Sequence, residues 1–130
     1  MNGSTLYLLE QTVYFEKSFQ KLVKTYKSQD EKIRFSQNIS NYLDALIINP
    51  YPPQARTEPL PSGLKLSQEW RFYKLVIVIA KGASGQIRIM YLLNEKDKII
   101  KPLWIYSHQQ FTKRPPDKEI KQVIQEVFEE

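Results

Sequence analysis

Residues 75–93 read LVIVIAKGASGQIRIMYLL, and they predict the central hairpin of a β-sheet. The six consecutive apolar residues at 75–80 are typical of a strand covered on both faces, and this strand is expected to span residues 70–80. Glycine and serine at 81–85 favour a turn. The chain at 86–93 is again rich in β-branched and apolar residues, so it predicts a second strand that returns beside the first.

The chain after this hairpin predicts a third strand and a C-terminal helix. Residues 99–106 are largely apolar, and Pro102 inside them indicates either an edge strand or a β-bulge, because proline has no N–H for the sheet ladder. Residues 117–130 follow a Pro-Pro pair, and their apolar residues recur at helical spacing. Those apolar residues are Ile120, Val123, Ile124 and Val127.

The chain before the hairpin predicts a strand, two helices and a connector. Residues 6–15 are expected to form a strand that runs into a helix at 16–26. A second helix begins at a capping-box pattern, Ser28 with Glu31, and continues up to an Asn-Pro pair. Residues 49–61 contain five prolines, so they are predicted to be an extended connector without helix or sheet.

This order of elements predicts an α+β fold. We expect an N-terminal strand and a helical hairpin packed on a small, mainly antiparallel sheet, with a C-terminal helix, and with the helices largely on one face of the sheet. A domain averages roughly 150 residues, so residues 1–130 are expected to form a single domain.

The composition excludes several classes of enzyme. The chain has no cysteine, which rules out disulfides, thiolate nucleophiles and cysteine-bound zinc. Its single histidine, His108, rules out a histidine-rich metal site and a ribonuclease mechanism that needs two histidines. No stretch approaches the ~20 apolar residues of a membrane span, and the N-terminus lacks a basic signal region, so a cytoplasmic protein is expected. The net charge of +5 suits an acidic or polyanionic partner.

Two segments carry a resemblance to a known family. The strand GQIRIMY at 85–91 resembles the arginine-and-aromatic strand of the RelE/ParE superfamily of bacterial toxins. The tail YSHQQFTKRPPDKEI at 106–120 is similar to the motif of its HigB-like branch, in which a histidine, a phenylalanine, basic residues and a proline precede an acidic helix start. The order of elements along most of the chain fits the same resemblance.

The resemblance implies the toxin of a type II toxin–antitoxin system. Such a toxin is covered by a cognate antitoxin at rest and, when free, enters the ribosomal A site and cuts mRNA. The implied chemistry is attack by the RNA's own 2′-hydroxyl on the adjacent phosphate, giving a 2′,3′-cyclic phosphate, with no metal and no small-molecule cofactor. The ParE branch acts on DNA gyrase instead, and an inactive antitoxin-binding homologue is a third alternative.

Cleavage of this kind needs a base, an acid and cationic donors for the charge on the phosphorane. Arg88 alternates with isoleucines along its strand, so it is expected on an open sheet face, where it either binds phosphate or pairs with an acid such as Glu95. His108 has the residue type that takes and gives protons near neutral pH, although it can equally be structural. Tyr106 can donate a proton, stack on a base or pack in the core. The catalytic candidates are Arg88, His108, Lys113 and Tyr106.

Basic residues that alternate with aromatic ones are candidates for RNA binding, because bases stack on aromatic rings. One such group surrounds the start of the strand at 70–80. Lys113 and Arg114 precede a stiff Pro-Pro pair, where they form either a phosphate clamp or a solvated loop. The RNA-binding candidates are Lys65, Arg71, Lys74 and Arg114.

Overall fold

The structure, a computed structural model, describes residues 6–129 and contains five strands and three α-helices in that range. The strands are β1 (Leu8–Leu9), β2 (Ala55–Thr57), β3 (Trp70–Val78), β4 (Gln86–Asn94) and β5 (Ile99–Ser107). The helices are α1 (Val13–Val23), α2 (Gln29–Ile48) and α3 (Asp117–Glu129). The predicted α+β class, with its helical hairpin and C-terminal helix, is confirmed.

All five strands form one sheet in the order β1-β5-β4-β3-β2. β1 runs parallel to β5, and every other neighbouring pair is antiparallel. The predicted β3–β4 hairpin is confirmed, and its turn contains Gly82 with φ of +85°, a backbone conformation that glycine adopts without strain. The central strand is β4, whereas β3 lies next to the edge strand β2.

Side-chain caps set the starts of the first two helices. Thr12 accepts a hydrogen bond from the backbone N–H of Phe15, so α1 begins at Val13 and leaves only two residues to β1, fewer than the predicted strand at 6–15. The capping box of Ser28 and Glu31 is confirmed at the start of α2. None of the helices in the described residues is long and apolar enough to cross a membrane.

Helices cover both faces of the sheet, which corrects the expectation that they lie largely on one face. α1 and α2 pack on one face, and the apolar stripe of α3 packs on the other. The physical reason lies in the inner strands, where adjacent residues such as Leu92 and Leu93 point to opposite faces and are both fully buried. A sheet that is apolar on both faces needs a helix on each.

The proline-rich connector differs from the prediction, whereas the strand that contains Pro102 follows one of the two predicted alternatives, the β-bulge. The proline-rich connector contains β2, because its prolines flank Ala55–Thr57 and leave this short edge strand free to pair with β3. β5 is not an edge strand, since it lies between β1 and β4. Pro102 is accommodated there by a β-bulge, where the register shifts between Met90 and Tyr91 of β4.

Helix α1 takes the place of a strand along the outer edge of β5. The Thr12 hydroxyl donates to the carbonyl of Pro102 at 2.8 Å, and the backbone N–H of Ile105 donates to Ser18 Oγ at 3.0 Å. Both bonds are buried. Side chains of α1 therefore satisfy backbone groups of β5 beyond the two residues of β1.

We expect Ser18→Ala to lower the free energy of unfolding by about 1–3 kcal/mol, because it leaves the buried N–H of Ile105 without an acceptor. Thermal and denaturant unfolding measure this loss. Ser40→Ala, the same change at an exposed position of α2, is the control and should alter the stability by less than about 0.5 kcal/mol. Equal stability of the two variants would show that the bond to Ile105 contributes nothing.

Candidate functional site

The pairing of β4 with β5 places Arg88 directly opposite Tyr106. Directly opposed residues of antiparallel strands project from the same face of the sheet, and here it is the face on which α3 packs. Val76 of β3 lies on the other side of Arg88 in the same row. His108 lies just beyond the end of β5, two residue pairs further along, where its backbone N–H donates to the carbonyl of Gln86 at 2.8 Å. The fold therefore brings three of the four catalytic candidates together.

These same three residues carry the buried side-chain polar atoms that have no hydrogen-bond partner within residues 6–129. The atoms are NH1 of Arg88, the hydroxyl oxygen of Tyr106 and Nδ1 of His108. An unpaired buried polar atom costs about 1–3 kcal/mol, so such atoms are rare and call for an explanation. Their convergence on one patch of the sheet makes it the candidate site, and a polar ligand reaches these covered atoms only when the side chains around them move.

A carboxylate beside this row holds two more basic side chains. Glu58 Oε1 lies 3.4 Å from Lys74 Nζ, and Glu58 Oε2 lies 3.1 Å from NH1 of Arg114. Arg114 also donates to the carbonyl of Pro59 and to Asp117. Lys74 lies on the same face, diagonally across from Arg88. Lys74 and Arg114 face two acids, Glu58 and Asp117, and Arg88 is a third cation with no acid partner within residues 6–129.

Tyr106 is fully buried, and its ring packs edge-on against Phe111 with centroids 5.6 Å apart. Stacking of an RNA base on this ring, one of the alternatives from the sequence, has no room in the structure. Burial raises the pKa of the Tyr106 phenol above its ordinary range, and the negative charge of Glu58 raises it further. The positive charges of Arg88 and Arg114 oppose that rise only in part. The phenol is therefore protonated at neutral pH and can donate, but not accept, a proton.

The other candidates from the sequence do not form one group. Lys113 is exposed in the loop before α3, whereas the guanidinium of its neighbour Arg114 binds Glu58 and Asp117. Of the two residues of the predicted phosphate clamp, only Lys113 therefore faces solvent without these partners. Lys65 is exposed in the loop before β3. Arg71 projects from the opposite face of the sheet and pairs with Glu95 at 2.8 Å. The acid proposed as the alternative partner of Arg88 thus pairs with Arg71.

Two residues of the site were missed by the sequence analysis. Glu58 is the single acid in the proline-rich stretch at 49–61, and this isolation was the signal that could have drawn attention to it. Arg56 lies in β2 directly opposite Lys74, so it adds an exposed cation to the same face. Both were overlooked because the connector was not expected to contain a strand.

Metal-ligating side chains do not cluster in the part of the chain that the structure describes. No group of three or more histidine, cysteine, aspartate and glutamate residues in residues 6–129 is arranged to hold a metal ion. The acids nearest the site, Glu58 and Asp117, are instead engaged by lysine and arginine.

The chain matches no protein-family model and no curated protein sequence. Among solved structures it is similar to a chain of the archaeal RelE–RelB complex from Pyrococcus horikoshii OT3, with 20% identity, a TM-score of 0.48, and coverage of 78% of this chain and 94% of that one. It is also similar to a mutant of the E. coli toxin RelE in the free state, with 12% identity, a TM-score of 0.47, and coverage of 82% and 88%. A metal-bound toxin from Helicobacter pylori gives 16% identity, a TM-score of 0.40, and coverage of 82% and 99%.

Proposed function

We propose that this protein is the toxin of a type II toxin–antitoxin system and an endoribonuclease that cleaves mRNA on the ribosome. The observation that carries the proposal is the convergence of Arg88, Tyr106 and His108, each with an unpartnered buried polar atom, on one patch of the sheet. The cations around this patch suit a phosphodiester. The motifs at 85–91 and 106–120, which resemble the RelE/ParE superfamily, supply the same residues.

In the proposed reaction the 2′-oxygen of the RNA forms a bond to the adjacent phosphorus while the bond from phosphorus to the 5′-oxygen breaks. His108 takes the proton of the 2′-hydroxyl. Tyr106, whose hydroxyl is covered in this structure, gives a proton to the 5′-oxygen once RNA binding has uncovered it. Arg88 stabilises the negative charge that develops on the phosphorane oxygens. The products are a 2′,3′-cyclic phosphate and a free 5′-hydroxyl, and the step calls for no metal or cofactor.

The proposal includes an antitoxin protein as the partner at rest. Arg56 is an exposed cation on the sheet face of the site, and the exposed apolar side chain of Val78 lies on the same face. Lys113 adds an exposed cation in the loop before α3. Such a surface suits an acidic or amphipathic segment of another protein.

The test of the proposed function is induced expression of this protein, followed by measurement of growth and mapping of mRNA 5′ ends. We expect growth arrest, new 5′ ends within translated mRNA, and relief of both on co-expression of the small protein encoded beside it. Native mass spectrometry of that co-expression should show a complex. Growth arrest with intact mRNA would favour the gyrase-type alternative, and unaltered growth would favour the inactive homologue.

We expect Lys113→Ala to reduce the salt dependence of RNA binding. Each phosphate contact with a single strand contributes about 0.7 to the slope of log K against log salt concentration, so the loss of one exposed contact should lower the slope by about that amount. Titration of a single-stranded RNA oligonucleotide at several salt concentrations measures it. Lys96→Ala removes an exposed lysine from the distant β4–β5 turn and serves as the control. Equal slopes in the two variants would remove Lys113 from the site.

A further inference from the structure

Glu58 occupies an unusual position for a carboxylate in a site that should bind phosphate. It follows β2 directly, and its backbone N–H donates to the carbonyl of Phe72 at 2.9 Å, which fixes it beside β3. Its side chain is only 7% exposed. A carboxylate that is so nearly buried requires charged or hydrogen-bonding partners, and its two oxygens have one cation each.

The two cations come from separate parts of the fold. Lys74 lies on β3, whereas Arg114 lies in the loop between β5 and α3. Arg114 is further fixed by Asp117 in the first turn of α3. The Glu58 carboxylate thus links a strand of the sheet to the segment that leads into α3.

Stability alone is a weak explanation for this bridge, because the cost of burying charges commonly cancels the energy of the ion pairs. The bridge also lies close to the reacting groups, since Lys74 stands on the same sheet face as Arg88 and diagonally across from it. A fixed negative charge between two cations also restrains both side chains, so that they do not bind phosphate groups outside the site.

We propose that Glu58 is a positioning residue, whose carboxylate bridges Lys74 and Arg114 and holds both cations beside the Arg88–Tyr106 pair in the geometry that cleavage of the RNA requires. This inference rests on the proposed nuclease function for its link to cleavage. The restraint of Lys74 and Arg114 by Glu58 does not depend on that function.

Glu58→Gln should therefore affect binding and cleavage in opposite directions. Release of Lys74, with a looser hold on Arg114, which keeps Asp117 and Pro59 as partners, should steepen the salt dependence of binding to a single-stranded RNA oligonucleotide by up to about 0.7 per released cation. The single-turnover cleavage rate should fall by roughly tenfold, because correctly held groups contribute more to rate than mobile ones. The Tyr106 phenol should titrate at lower pH than in the wild type, because a negative charge that raises its pKa is gone.

The experiment compares the full-length wild type with Glu58→Gln and Glu58→Asp, after circular dichroism has shown that each variant is folded. Glu58→Asp keeps the charge but is too short to reach both cations, so it should also lose cleavage rate. It provides the test if the glutamine variant does not fold. Glu69→Gln is the matched control, because Glu69 is an exposed acid whose nearest cation, Lys96, lies 4.0 Å away. This control should leave the salt slope, the cleavage rate and the Tyr106 titration unchanged.

Four results would overturn the proposal. An unchanged salt slope in Glu58→Gln would show that Glu58 restrains neither cation. An unchanged Tyr106 titration, measured by ultraviolet absorbance against a Tyr106→Phe background, would show that the bridge does not lie beside the phenol. Full cleavage by both Glu58 variants would show that the restraint has no role in the reaction. Loss of the acidic limb of the pH–rate profile with an unchanged salt slope would make Glu58 a proton acceptor instead. A wild type that cleaves no RNA defeats the nuclease function, and the salt slope then still decides the restraint.

Discussion

Replacing Arg88 by alanine is expected to lower the single-turnover rate of RNA cleavage by about 10²–10³-fold, while association with the ribosome falls much less. Arg88 stands on β4, the central strand of the sheet, and its NH1 has no partner within the described residues. A cation held there without a protein acceptor is free to bind the phosphorane, whose charge develops only in the transition state. The assay is cleavage of mRNA on programmed ribosomes in the presence of EDTA.

Two further variants make this result interpretable. Arg88→Lys keeps the charge but loses the planar fork of donors, so it should recover only part of the rate. Arg34→Ala removes an exposed arginine from α2, on the other side of the sheet, and should leave the rate unchanged. Full activity of Arg88→Ala would mean that the nuclease site lies elsewhere. A wild type that arrests growth but leaves ribosome-bound mRNA intact would discard the nuclease mechanism.

The elements that could be predicted from the sequence are those that local signals specify. The capping box at Ser28 and the helical spacing of apolar residues in α3 act over a few residues, and both predictions are confirmed. β2 could not be predicted in this way, because three residues carry no periodicity and exist as a strand only through pairing with β3. The β-bulge at Pro102 was one of two predicted alternatives, and only the pairing of β5 with both β1 and β4 excludes the other, an edge strand.

The second covered face of the sheet has a similar explanation. The sequence shows that α3 is amphipathic, but it does not show against which surface the apolar stripe packs. The adjacent apolar residues Leu92 and Leu93 indicated where it packs, because consecutive apolar residues in a strand point to opposite faces and both faces then need to be covered. The prediction of helices largely on one face used this rule for β3 and did not extend it to β4.

The site shows the same division between local and tertiary information. Strand alternation was sufficient to place Arg88 on the face of the sheet opposite its flanking isoleucines. The expectation that this face is open was wrong, because α3 packs on it and NH1 of Arg88 is buried. Strand alternation was not sufficient to separate Arg71 from the RNA-binding candidates, because the pairing of Arg71 with Glu95 joins the start of β3 to the end of β4. Glu58 was missed for the same reason, since its two cations lie 16 and 56 residues away along the chain. Charge pairs across the sheet follow from the register, which local patterns do not specify.

Tyr106→Phe is expected to produce a protein that is as stable as the wild type or more stable, yet about 10²–10⁴-fold slower in cleavage. The hydroxyl of Tyr106 is buried and has no hydrogen-bond partner within residues 6–129, so its removal costs no bond and relieves a desolvation penalty of up to about 1–3 kcal/mol. The ring and its packing against Phe111 are unchanged. The unpaired buried hydroxyl of Tyr106 lowers the stability of the fold, and a role of its proton in the reaction would explain why the residue is tyrosine.

The pH dependence gives this prediction a second readout. Because burial and the charge of Glu58 raise the pKa of the Tyr106 phenol, the donor remains protonated beyond the ordinary range of tyrosine, and the wild-type rate should decline only at strongly alkaline pH. That decline should be absent from the residual activity of Tyr106→Phe. Tyr91→Phe is the matched control, and it should have the opposite effects on stability and cleavage rate. The buried Tyr91 hydroxyl donates a hydrogen bond to the carbonyl of Pro50 at 2.8 Å, and the substitution removes this bond. The variant should lose about 1 kcal/mol of stability and keep the cleavage rate. A fully active Tyr106→Phe would reduce Tyr106 to a packing residue and leave His108 and Lys113 as the remaining candidates for proton transfer.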